Sequence, residues 1–102
     1  MAEFVNEQTV IANAMQSEDA WIETSNALTI EHFADSRSRE IFRAMSQLDA
    51  AGKPLEPTSI ADHLGGDWMM TIVDLIRESL PVRSLESYIA AIKESYAQRR
   101  LL

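Results

Sequence analysis

The chain has no cysteine in its 102 residues. This excludes a disulfide framework and any zinc site built on thiolates, and it fits a reducing compartment. Glycine and proline occur three times each, too rarely for a low-complexity or linker-like tract. No apolar run approaches the length needed to span a bilayer, and the N-terminal MAEFVNEQ has neither the basic nor the apolar region of a signal peptide. The expectation is a cytoplasmic protein with no membrane association. Basic residues are also missing from one region: residues 1–36 hold seven Asp or Glu and no Lys or Arg, while residues 37–102 hold nine acids and nine bases. The net charge of −7 therefore originates in the first third. Such a balance repels a phosphate backbone, so little direct DNA binding is expected.

What is present is helical periodicity. With 46% apolar and 25% charged residues, the chain is sized for one domain with one modest core. In VNEQTVIANAMQS, Val10, Ile11, Ala14 and Met15 recur at helical spacing and predict a helix over residues 7–16. Ser17 can cap a second helix, EDAWIETS, with Trp21 and Ile22 as its apolar side, and Thr29 can cap a single turn at TIEHF. Ser36 opens RSREIFRAMSQLDAA, in which Ile41, Phe42, Met45 and Leu48 form one stripe and Gly52 stands at the left-handed stop. KPLEP should be extended, with Thr58 capping a short helix that ends at Gly65 and Gly66. Residues 69–79 place Met69, Ile72, Val73 and Ile76 on one side before Leu80 and Pro81 break the pattern. From Ser84, Leu85, Ile89, Ile92 and Tyr96 recur as the seam of a long last helix. The predicted fold class is all-α: one domain, residues 1–102, a compact bundle of about six helices with a long C-terminal helix over residues 84–102.

Chemical motifs are scarce. PTSIADHLGG has the form of the first helix of a helix-turn-helix, but the DWMMTIVDLIRES after it offers only Arg77 where a recognition helix needs several base-reading side chains. His32 and His63 lack a ligand partner at helical spacing, and neither a phosphate-binding G-x-x-x-x-G-K-[ST] nor a G-x-S-x-G elbow occurs. Paired acids such as Glu18 and Asp19 sit at helix starts, where the dipole accounts for them. No catalytic, cofactor-binding or metal residue is assigned, and the chain is expected not to be an enzyme. What remains is surface for partners. Trp68 and Met69, with Met70, cluster after two glycines, and Tyr88, Ile89, Ile92 and Tyr96 spread apolar groups over more than one face of the last helix.

The run Glu31–Leu64, EHFADSRSREIFRAMSQLDAAGKPLEPTSIADHL, resembles the N-terminal domain of bacterial replicative DNA helicases of the DnaB type. The resemblance rests on Glu31 and Phe33, Arg39 with Ile41 and Phe42, Gly52 with Pro54 and Leu55, and Ser59 to Leu64. EQTVIANAM upstream, and Pro81, Tyr88, Ile92 and RRLL downstream, extend it over nearly the whole chain. Ser38 departs from the family's usual His, and Ala12 and Asn13 replace a glycine step.

The resemblance implies a non-catalytic collar on a hexameric ring. Its partners would be other copies of itself, primase and, in some systems, the helicase loader. Its last helix would lead toward a helical hairpin. No cofactor is expected in this chain: ATP and magnesium would belong to the motor of the parent helicase. A free-standing helicase-binding adaptor, such as the helicase-interaction domain of a primase, remains an alternative, as does a small helix-turn-helix regulator.

Overall fold

The computed structural model describes residues 4–80 and 82–101; Pro81, expected to help break the fifth helix, lies outside them. Six α-helices and one 3-10 turn follow in order, with no strand among the described residues. The all-α class predicted from periodicity is the observed one.

Helix α1, Val5–Gln16, starts two residues earlier than its periodicity suggests, with the first intrahelical bond running from Gln8 N to Phe4 O. It is the central element, packing against α2 (Glu18–Ala27), α3 (Ser36–Ala50), α5 (Trp68–Glu78) and α6 (Leu85–Leu101). Eight of its side chains are buried, including the polar Glu7, Gln8 and Thr9. Burial on nearly every side is what a helix surrounded by others requires. Ser17 caps α2 as its sequence position suggests, its hydroxyl accepting from Ala20 N at 3.3 Å. The turn at Ile30–His32 is the single turn expected.

Helix α3 carries the predicted stripe: Ile41, Phe42, Met45 and Leu48 are all buried. The Phe42 ring meets Trp21 at 5.4 Å and Phe33 at 4.9 Å, joining α2, α3 and the segment between them. Gly52, at φ 71°, ends α3 in a Schellman arrangement, with Lys53 N bonded to Leu48 O and Gly52 N to Asp49 O. A side chain at that φ would be strained, which is why glycine stands there.

Helix α4, Pro57–Leu64, corrects one expectation. Its cap is Glu56 and its first residue Pro57, so Thr58 lies inside the first turn. Proline suits this position because its φ is already helical and its missing N–H would have no intrahelical partner. Gly65, at φ 78°, donates its N–H to Ala61 O and turns the chain into α5, which packs on α4 and α1.

The entrance to α3 is held by polar groups. Asp35 is the cap, its Oδ2 accepting from the Ser38 hydroxyl at 2.8 Å and from Ser38 N at 3.4 Å. The Arg39 guanidinium donates twice to Phe33 O, at 3.1 and 2.9 Å. From α1, the buried Glu7 carboxylate accepts from Ala34 N at 3.1 Å and Asp35 N at 3.0 Å. Burial raises the Glu7 pKa above its usual value, and these two N–H groups only partly offset it.

Candidate protein interaction surface

Helix α5 carries a wide apolar stripe from Leu75 and Trp68 round to Met69 and Val73, and its neighbours α1 and α4 cover only one side of it. Ile72 and Leu75 are fully buried there, with Trp68 and Ile76 half-buried against the same core. The stripe read from the sequence, Met69 with Ile72, Val73 and Ile76, is thus divided between core and solvent. Met69 and Val73 are exposed, Met70 is 70% exposed, and Leu80, two residues past the helix end, is exposed as well. Four of the six exposed large hydrophobic side chains among the described residues therefore lie on or just after this one helix. Their grouping on one helix makes this face the candidate contact surface, whereas single exposed apolar residues carry no such meaning.

Methionine suits such a surface because its unbranched, polarizable side chain adapts to different partners. The rim is acidic, with Asp67, Asp74 and Glu78 exposed around it. The one nearby cation, Arg77, lies 3.7 Å from Asp74. The α4–α5 pair has the outline of a helix-turn-helix, yet the outer face of its second helix presents methionine and valine. That face has no set of donors for base edges.

The C-terminal helix divides differently from its sequence reading. Ile89 and Ile92 are 5% and 2% exposed and belong to the core, so in the folded domain they are closed to a partner. Tyr88 is half-buried against the same core. Tyr96 is half-buried as well, its ring 4.6 Å from that of His32 and beneath the guanidinium groups of Arg99 and Arg100. The structure thus brings Trp68 and Met69 together on α5 but places Tyr88, Ile89, Ile92 and Tyr96 elsewhere. Val73 and Leu80 were absent from the sequence reading of this surface. Their signal is angular: Val73 shares a face with Met69 and Met70, roughly opposite Leu75, when residues are spaced 100° apart.

No three His, Asp or Glu side chains converge as a metal site among the described residues. His63 instead bonds the Gln47 side chain at 2.7 Å, and His32 Nδ1 accepts from Thr29 N at 2.9 Å. No described helix is long and apolar enough to cross a membrane.

A family profile described as the DnaB-like helicase N terminal domain matches residues 2–94. The chain belongs to this family. Among solved structures, it is similar to the crystal structure of the N-terminal domain of DnaB helicase from Mycobacterium tuberculosis. The TM-score is 0.85 at 21% identity, over 97% of this chain and 76% of that one, which shows a shared fold. No curated protein matches the chain.

Membership gives the resembling motif a physical meaning. In this DnaB-like domain, Phe33, Asp35 and Arg39 build the entrance to α3: Phe33 fills the core, Asp35 caps, and Arg39 holds the Phe33 carbonyl. The segment with the clearest family signature is therefore structural. The exposed apolar face of α5 takes no part in this entrance.

Proposed function

We propose that the domain is the collar module of a replicative DNA helicase, holding neighbouring copies together and docking primase, with the outer face of α5 as the primase-docking surface. The observation that carries this reading is the unpartnered patch of Met69, Met70, Val73 and Leu80 on a domain of the DnaB-like helicase family. An apolar centre with an acidic rim supplies burial in the middle and orientation at the edge. Catalysis, ATP and magnesium belong in this reading to the motor of the parent helicase, which unwinds DNA, and the chain performs no reaction of its own.

The test is binding of the helicase-interacting domain of the cognate primase, followed by calorimetry. Met70→Asp with Val73→Asp should weaken it at least tenfold while the helical circular dichroism is unchanged, because both side chains already face solvent. Unchanged affinity in that variant would remove the α5 face from the docking surface.

A further inference from the structure

A groove of about 720 Å³ opens between α2 and the segment that joins α3 to α4, and it shares no residue with the exposed face of α5. Its cause is local. Helix α2 packs on α1 and α6 and buries only Trp21 and Thr24. The Trp21 ring reaches Phe42 at 5.4 Å and ties α2 to α3 in depth. Nearer the surface, Gly52 ends α3 at φ 71° and Pro54 keeps the joining segment out of a helix. The two walls therefore diverge. Met15 and Trp21, nearly buried, line the floor, with Ile22, 48% exposed, on one side and the half-buried Leu55 on the other.

The rim is acidic. Glu18, Asp49 and Glu56 are exposed lining residues, and Lys53 is the single lining cation. None of the four is in an ion pair among the described residues. Two helix ends add to this balance. The last turns of α1 and α3 border the groove, and neither carries a basic residue, so the partial negative charge of both C-termini joins that of the carboxylates. The positive start of α2 opens at the same place, where Glu18 and Asp19 already offset it. Asp49, Glu56 and two helix C-termini are then left against Lys53 alone.

We infer that this groove is a docking site for a short basic segment of another protein, in which an apolar anchor is flanked by Lys or Arg. The anchor covers Ile22 and Leu55 above the Trp21 floor, and the flanking cations meet Asp49, Glu56 and the ends of α1 and α3. Charge complementarity selects this occupant: an acidic segment brings like charge to an acidic rim, and a nucleic-acid backbone is repelled for the same reason. Burial of the anchor supplies affinity, and the charges supply orientation. The inference goes beyond the primase reading of α5 and is independent of it.

Fluorescence anisotropy with short labelled peptides of alternating leucine and arginine tests it, with backbone amide chemical shifts of the chain to place the contact. Binding should move the signals of Trp21, Ile22 and Leu55, leave those of Met70 and Val73 unchanged, and weaken with added salt. Asp49→Lys with Glu56→Lys should weaken it by about tenfold or more. Ile22→Ser should also weaken it, and because all three side chains are exposed the variants should keep the helical circular dichroism of the wild type. A peptide with glutamate in place of arginine should not bind, and one with serine in place of leucine should bind about tenfold more weakly, the effect of losing a buried leucine. Absence of binding by the leucine and arginine peptide, equal binding of its serine counterpart, or shifts confined to α5 overturns the inference. Primase binding at α5 is tested separately by Met70→Asp with Val73→Asp, so failure of one reading leaves the other in place.

Discussion

Helices α3 and α5 are both amphipathic, and they spend their apolar residues differently. Helix α3 alternates charged and apolar positions, yet buries Ile41, Phe42, Ala44, Met45 and Leu48. Helix α5, with the more apolar sequence, buries only Ile72 and Leu75 and leaves Met69, Met70 and Val73 in water. The ends of α3 are also fixed: Asp35 caps one and Gly52 closes the other. The cap of α5, Asp67, makes no side-chain bond. Apolar content by itself thus does not locate the core. In α3 burial serves folding, while in α5 the surplus apolar surface has no use inside the domain.

The largest effect expected from this contrast is at Phe42. Phe42→Ala removes a ring packed between Trp21 and Phe33 and should cost about 3–5 kcal/mol, seen in urea or thermal unfolding. For a domain of this size that corresponds to a drop in Tm of roughly 12 °C or more. A shift of only a few degrees would mean that α3 matters less to the core than its burial implies.

An intermediate effect lies where α1 meets α3. The Glu7 pKa is raised by burial above its usual 4.5, so the folded state keeps this proton to higher pH than the unfolded chain does. Its stabilising contribution is therefore fully present below the unfolded pKa and is lost as pH rises through the folded one. Glu7→Gln keeps a carbonyl acceptor for one of the two N–H groups and removes this titration. Measured as unfolding free energy from about pH 4 to pH 7, the variant should improve relative to wild type as pH rises. A constant difference across that range would show that the two N–H bonds fully offset the burial of the charge.

The smallest effect belongs to α5. Met70→Ser should change stability by no more than about 0.5 kcal/mol, because the side chain is already exposed. A large loss in denaturant unfolding would instead place Met70 in the core and erase the contrast with α3.

Element existence was legible in the sequence, because the apolar stripe of α3, the Ser17 cap and the glycine stops are local signals. Membership in the DnaB-like family was legible too, from the ordered run between Glu31 and Leu64. The facing of α5 was not. A helix with so wide an apolar stripe does not say which edge of it is buried, and only packing against α1 and α4 selects Ile72 and Leu75. The same limit applies to α6, where the spacing of Ile89, Ile92 and Tyr96 describes a seam without saying whether it belongs to this core or to another chain. Glu7 was hidden for a different reason: its partners, Ala34 N and Asp35 N, are 27 and 28 residues away. They are backbone groups, which leave no mark in a side-chain pattern. Pro57 displaced Thr58 as the start of α4 through its ring geometry, a local signal that a hydroxyl-based reading of the cap passes over.

The hydroxyl of the fully buried Thr9 accepts from Leu80 N at 3.1 Å, across 71 residues of chain. This bond ties the segment after α5 back to the first helix. On the folding pathway it cannot form until both ends of that long loop have met, and the closure entropy of such a loop is paid before the bond returns anything. Because Leu80 follows α5 by two residues, closing this one long loop fixes the far end of that helix to the first one.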